Sequence, residues 1–262
     1  MNTIGFIGTG NMGGALAAAA ARSEKEYRLL LSNRTREKAE ELSSKIGGEV
    51  TDNKTIAREA DYIFLGVKPQ YLNDVYEQIK DVLKERNDSY VIVSMMAGKT
   101  IPVLKEMFDD HPIIRIMPNM PVTIGKGLSF VSFSDDVSEE DKKYFFELMG
   151  PSGVLKEVSE NYMTCAGGIS GCGPAFAAMF MEGLADGAVA CGVARKDAYE
   201  FAAEMMKGTA DLYLETLQHP GAIKDSVCSP AGSTIQGVRV LEERGFRAAL
   251  TDALIATFEK KF

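Results

Sequence analysis

The chain opens with a short apolar run, Thr3-Ile4-Gly5-Phe6-Ile7, followed at once by Gly8-Thr9-Gly10-Asn11-Met12-Gly13 and an Ala-rich stretch over 14–21. The run reads as a buried strand and the Ala-rich stretch as a helix. The G-x-G-x-x-G therefore stands in the strand–turn–helix context that its chemistry requires. Gly8 permits the tight turn, Gly10 lets the backbone approach a pyrophosphate, and Gly13 lets the helix sit close on the strand. Thr9, Asn11 and Met12 share that turn and are cofactor-contact candidates with it. The alternative is a purely structural glycine turn. The confirming context favours a dinucleotide site and commits this part of the chain to an α/β sheet.

Strand and helix patterns alternate through the first half. Strands are expected at 27–31, 61–67, 90–94 and 112–117, and helices at 35–46, 53–60, 71–86 and 100–108. The helix at 53–60 has Asp52 or Asn53 as its cap. A strand at 128–133, a helix at 139–149 and a last strand at 155–158 follow. Such alternation means a mainly parallel sheet covered by helices, a doubly wound Rossmann-type layer. Ligands of such sheets lie beyond the carboxyl ends of the strands. The strand-end segments Val67-Lys68-Pro69, Ala97-Gly98 and Pro118-Asn119 are thus candidate cofactor and substrate walls. Lys68 either bonds a ribose or phosphate of the cofactor or snorkels over the strand end.

The second strand carries the selectivity signal. An NAD site places an acid near its end to accept hydrogen bonds from the ribose. This chain has Ser32-Asn33-Arg34-Thr35-Arg36 instead. A carboxylate repels a 2′-phosphate, whereas Arg grips one with a fork of N–H donors. Ser32, Asn33 and Arg34 therefore indicate NADPH, with NADH as the alternative; a solvated basic turn is the bland reading. Arg36 is the weaker candidate.

After about residue 160 no strand pattern recurs. The stretch 175–193 is apolar nearly all round, and a helix without a polar face must be buried on all sides. A unit of roughly a hundred residues can scarcely surround it alone, so a second chain is expected to cover it. The expected domains are 1–159, a dinucleotide-binding domain, and 160–262, an all-α dimerisation and substrate domain forming a homodimer through its helices. A single core helix in one bundle is the rival.

Late in the chain, Ser229-Pro230-Ala231-Gly232-Ser233-Thr234 precedes the apolar-periodic Ile235, Val238 and Leu241. This is a helix-start signature. The free N–H groups and dipole of a helix start suit a carboxylate. A well-capped loop is the structural alternative.

The 262 residues are 45% hydrophobic and 25% charged, ordinary for a globular enzyme. A net charge of −8 argues against nucleic acid and requires local groups to capture an anionic ligand. Cys165, Cys172, Cys191 and Cys228 show no C-x-x-C spacing, and His111 and His219 are far apart, so no metal site is expected. Reduced thiols, the lack of a signal-peptide pattern and acids at Glu182 and Asp186 in the most apolar stretch point to a cytoplasmic protein with no membrane partner.

Together Gly8-Thr9-Gly10-Asn11-Met12-Gly13, Val67-Lys68-Pro69-Gln70, Gly168-Ile169-Ser170-Gly171-Cys172-Gly173-Pro174-Ala175 and Lys224-Asp225 with Ser229-Pro230-Ala231-Gly232-Ser233-Thr234-Ile235 resemble the pyrroline-5-carboxylate reductase family. The resemblance runs in order along the chain, and the late segment is its specific part. One departure is Ala231, where the family usually has Gly; it is tolerated unless that residue needs φ > 0. The resemblance implies reduction of 1-pyrroline-5-carboxylate to proline, a dimer whose subunits both contribute to each active site, and in some members higher assemblies of dimers. It also places Asn53 near the adenosine phosphate.

On this reading the N–H groups of Gly232, Ser233 and Thr234 grip the substrate carboxylate, and the Thr234 hydroxyl bonds the ring nitrogen. It orients the ring and can pass a proton; simple capping is its alternative. The Asn119 carboxamide meets the nicotinamide amide or the substrate. Two rivals remain. A β-hydroxyacid dehydrogenase would need a helical lysine shortly before an asparagine, and Lys207 is followed by Gly208-Thr209-Ala210-Asp211. A non-enzymatic NADP sensor would have lost the late loop, which is present.

Overall fold

The structure, a computed structural model, describes residues 1–109 and 111–259. The alternating pattern folds into β1 (Asn2–Ile7), α1 (Asn11–Ala20), β2 (Tyr27–Ser32), α2 (Arg36–Ile46), β3 (Glu49–Val50), α3 (Asn53–Glu59), β4 (Tyr62–Leu65), α4 (Leu72–Lys84), β5 (Val91–Ser94), α5 (Ile101–Met107), β6 (Ile113–Met117), β7 (Gly127–Phe133), α6 (Glu139–Met149) and β8 (Gly153–Glu157). They build one eight-stranded sheet in the order β3-β2-β1-β4-β5-β6-β7-β8. All neighbours pair in parallel except β6 and β7, which are antiparallel.

The period of two in the strands sorts side chains onto two helical layers. Ile4, Phe6, Leu29, Leu31, Phe64 and Val93 face α1 and α6, meeting Leu16, Phe145 and Leu148. Ile7, Leu30, Ile63, Leu65 and Ile92 face the other way, onto Ile56 of α3, Ile79 of α4 and Leu104 of α5. Because both faces are covered, the central strands are nearly continuous apolar runs. Gly5 leaves a gap on the second face that the Ile56 side chain enters; a Cβ at Gly5 would overlap Ile56 Cγ2.

Helix α7 (Glu160–Ala190) begins against the end of the sheet. Met163 and Ala166 pack on Phe130 of β7, and Gly167 allows the helix to approach Met117 of β6, whose Sδ would overlap an added Cβ. The chain divides into compact units at 1–171 and 172–262, so the first turns of α7 belong to the first unit. Gly192, at φ +100, ends the helical run that α7 carries.

The second unit holds the rest of α7, then α8 (Arg195–Thr216), α9 (Pro220–Ser226), α10 (Ser233–Glu243) and α11 (Phe246–Glu259). Its apolar side chains are not enclosed by the chain itself. Met179 is 70% exposed, Phe201 62% and Leu214 67%. Exposed apolar surface on this scale marks an interaction face. Among the described residues no helix is long and apolar enough to cross a membrane.

Candidate nucleotide and substrate sites

The turn between β1 and α1 is built by backbone crowding. Gly8 has φ +95, open to glycine alone at no cost. A Cβ on Gly13 would overlap the Gly8 carbonyl oxygen, and so would one on Gly66, which follows β4. Gly66 is a functional glycine the sequence reading missed; it stands outside the G-x-G-x-x-G spacing and only the sheet order brings it beside Gly8. Gly10 differs: among the described residues nothing lies within 4 Å of where its Cβ would be, which leaves space beside it for a ligand. Gly10 also caps α1 without a side chain, leaving the first N–H groups of that helix available to an anion.

A cleft of about 610 Å³ opens there, of the size that small-molecule and cofactor sites have. It brings together Gly8, Gly10, Ser32, Asn33, Arg34, Asn53, Val67 and Lys68 from the expected set. Thr9, Asn11, Met12, Gly13, Pro69, Ala97, Gly98 and Asn119 are not in its lining. Arg34, Arg36, Lys38 and Lys68 surround the cleft against Asp52 and Asp74, so a locally cationic lip stands on an anionic chain. The Asp52 carboxyl accepts from the Thr55 N–H as the cap of α3, which holds it below its usual pKa; Asn53 is the first helical residue, not the cap.

The polar residues at the end of β2 serve one another. Asn33 Oδ1 accepts from the Thr9 N–H (3.1 Å) while its Nδ2 donates to the Thr35 carbonyl (2.9 Å), tying the glycine turn to β2. Ser32 Oγ donates to Asn53 Oδ1 (2.7 Å), and Asn53 Nδ2 donates to Gln78 Oε1 (2.8 Å). Gln78, on α4, has no short-range sequence signal for this role. Arg34 is left as the exposed donor, its guanidinium lying 4.7 Å from the centre of the Tyr71 ring. Thr9 is buried, and its hydroxyl has no hydrogen-bond partner among the described residues.

Asn119 follows β6, and its Oδ1 accepts from the Leu128 N–H at 2.9 Å. Its Nδ2 is therefore the group it has to offer a ligand. Pro69 opens a short 3₁₀ turn (Pro69–Tyr71) that carries the chain from β4 towards α4. Ala97 and Gly98 are exposed in the β5–α5 loop, with Gly98 at φ +73. Lys207, the residue a hydroxyacid dehydrogenase would need, is exposed on α8 and lies 3.5 Å from Glu204.

In the second unit, α10 begins at Ser233 with Gly232 as its cap. Ser233 and Thr234 are exposed at this helix start, so the Thr234 hydroxyl is not at the capping position. Ala231 sits at φ +60, the left-handed region where its methyl is strained. This is the condition under which the departure from glycine costs stability, roughly 1 kcal/mol. Ala231→Gly is expected to raise the unfolding free energy by about that amount; a denaturant midpoint that fails to rise would show that the loop relaxes the strain elsewhere.

A family model described as pyrroline-5-carboxylate reductase dimerisation matches residues 160–261, and one described as NADP oxidoreductase, coenzyme F420-dependent, matches residues 3–98. The pyrroline-5-carboxylate reductase of Escherichia coli (strain K12) is 38% identical over 261 residues, covering 98% of this chain and 96% of the relative. The chain belongs to the pyrroline-5-carboxylate reductase family. The Methanosarcina acetivorans reductase is 37% identical over the same coverage. Among solved structures, the Plasmodium falciparum pyrroline carboxylate reductase with NADP bound superposes with a TM-score of 0.86 at 29% identity, covering 98% of this chain and 96% of that one. The Coxiella burnetii pyrroline-5-carboxylate reductase gives 0.86 at 30%, covering 97% and 95%. The family models fit a chain with a pyridine-nucleotide domain followed by a dimerisation segment, which supports a homodimer.

Proposed function

We propose that this protein reduces 1-pyrroline-5-carboxylate to proline with NADPH as its preferred reductant. The observation that carries the reading is a glycine cleft with a cationic lip and no acid at the end of β2, on a chain matched end to end by pyrroline-5-carboxylate reductases. The free space at Gly10 and the uncapped start of α1 fit a pyrophosphate, and Arg34 fits a 2′-phosphate. Bound reduced nicotinamide supplies the hydride that the imine carbon accepts.

The chain's own residues do the rest by binding and orientation. The N–H groups of Gly232, Ser233 and Thr234 at the start of α10 hold the substrate carboxylate. Thr234 Oγ1 bonds the ring nitrogen, fixing which face of the ring is presented. In the first unit, Asn119 has its Nδ2 to offer a ligand, and Lys68, Pro69, Ala97 and Gly98 are the strand-end residues assigned to the cofactor. A protonated imine is already electrophilic, so no strong base is required, and the product amine takes its last proton at nitrogen.

Two measurements test this. NADPH oxidation is expected with pyrroline-5-carboxylate, and no NADP+ reduction with small β-hydroxyacids; the reverse would establish the dehydrogenase reading, and NADPH binding without turnover would establish a sensor. For the cofactor, Arg34→Ala is expected to weaken NADPH about ten- to a hundredfold, the worth of charge-assisted hydrogen bonds to a phosphate, while leaving NADH within twofold. Equal losses for both nucleotides would remove Arg34 from the 2′-phosphate.

A further inference from the structure

Glu160 is the first residue of α7 and of the segment matching the dimerisation model, yet its side chain is committed to the nucleotide domain. Its Oε1 accepts from the backbone N–H of Ile101 at 2.6 Å and from Arg115 Nη1 at 2.7 Å. Arg115 lies in β6 with its side chain 4% exposed, and the Glu160 side chain is 22% exposed. Ile101 is the first residue of α5, whose cap residue Thr100 makes no side-chain capping bond. The first N–H groups of a helix need outside acceptors, and the preceding residue ordinarily supplies one. Here a carboxylate 59 residues away does so.

The consequence falls on the loop that leads into α5. It leaves β5 after Ser94 and carries Ala97 and Gly98, both exposed, with Gly98 at φ +73, a left-handed conformation that glycine adopts at no steric cost. Its near end is held by the sheet, and its far end by Glu160. In the strand order β3-β2-β1-β4-β5-β6, the Arg34 cleft runs over the ends of β2, β1 and β4, so a dinucleotide extending further along the strand ends reaches β5 with its other half. The loop pinned by Glu160 is therefore placed for the nicotinamide half.

We propose that Glu160, oriented by Arg115, is a positioning residue for hydride transfer: it caps α5 from the base of α7 and so fixes Ala97 and Gly98 against the nicotinamide. The inference rests on the reading that these two residues wall that half of the cofactor. Arg115 fixes the carboxylate with a charge-assisted bond inside the fold, where a second rotamer would leave a buried guanidinium unpaired.

The test compares NADPH with 2′,5′-ADP, which carries the adenosine half and its phosphate but no nicotinamide, on the intact dimer. For Glu160→Ala the expected result is a fall in kcat and in NADPH affinity of about tenfold each, with 2′,5′-ADP bound within twofold of the native protein. Glu160→Gln keeps an acceptor for the Ile101 N–H while removing the charge. It is expected to melt lower than the native protein yet keep most of the native kcat. Should the alanine variant not fold, Glu160→Asp retains the charge on a shorter arm and is expected to show the same split at a few-fold. The proposal is overturned if the folded alanine or aspartate variant only melts lower with kcat and both affinities unchanged, or if its 2′,5′-ADP affinity falls in step with NADPH. Ala97→Leu tests the underlying reading separately. Native kcat and NADPH affinity in that variant would show that the loop is not a nicotinamide wall, whatever Glu160 does.

Discussion

Thr234→Ala is expected to lower kcat about a hundredfold at saturating substrate, the scale of a lost positioned hydroxyl that orients the reacting ring and can pass it a proton. The fold should not suffer. Gly232 holds the cap position of α10, and Thr234 is an exposed residue of the first turn. Ala has the higher helix propensity, by a few tenths of a kcal/mol, so the melting temperature is expected to hold or rise slightly while turnover collapses. Opposite movement of stability and activity separates a chemical role from a capping one. Ser233→Ala is the internal control: its contribution is its backbone N–H, which alanine keeps, so kcat and KM should stay within a few-fold of native. Native turnover in a well-folded Thr234→Ala protein would remove the hydroxyl from the chemistry. An equal loss in Ser233→Ala would show that the loop is held by side chains and not by its amides.

The sheet between its two helical layers was legible because its signal is local. Strands buried on both sides write continuous apolar runs, and 139–149 reads as a helix to the residue because Ser138 caps it through the Asp141 N–H and the acidic first turn suits the dipole. Strand β3 was missed, being Glu49 and Val50 alone, too short to carry a period. The helix at 53–60 was anticipated, but its two possible caps could be separated only by geometry, which chose Asp52.

For the site, residue type gave the location and not the division of labour. Ser32, Asn33, Arg34 and Asn53 look alike as polar candidates. Only the folded chain reveals that Asn33 braces Thr9, that Ser32 and Asn53 bond each other, and that Arg34 remains as the exposed donor. The cap from Glu160 to Ile101 joins residues 59 positions apart and leaves no trace at short range. Ala231 lies between these cases. Its identity flags a question, whether φ is positive, that the sequence can pose and only the backbone answers.

Gly66→Ala and Gly10→Ala should separate the glycines that build the turn from the one that serves the ligand. The Gly8 carbonyl is wedged between Gly13 on α1 and Gly66 after β4, and Gly66 lies with its own would-be Cβ 3.1 Å from Gly13 Cα. The neighbours are backbone, with no flexible side chain to yield. Gly8 is also tied to Ser32 and Gly66 to Ile7 by hydrogen bonds of 2.8 Å each, which hold the two segments in register. A methyl at Gly66 must therefore displace the turn itself. Overpacking of this kind costs about 3 kcal/mol, and the displaced turn should bind NADPH about a hundredfold more weakly. At Gly10 the backbone is ordinary, with φ −71, and a methyl meets no protein atom within 4 Å. Gly10→Ala should then melt like the native protein while losing nucleotide affinity about tenfold or more, because the methyl occupies the approach of the pyrophosphate. Calorimetric melting beside NADPH titration reads both variants. Native NADPH affinity in Gly10→Ala would mean that the free space there is not where the pyrophosphate lies. An unchanged melting temperature in Gly66→Ala would mean that the turn yields to a methyl, so that its crowding is not what shapes the cleft.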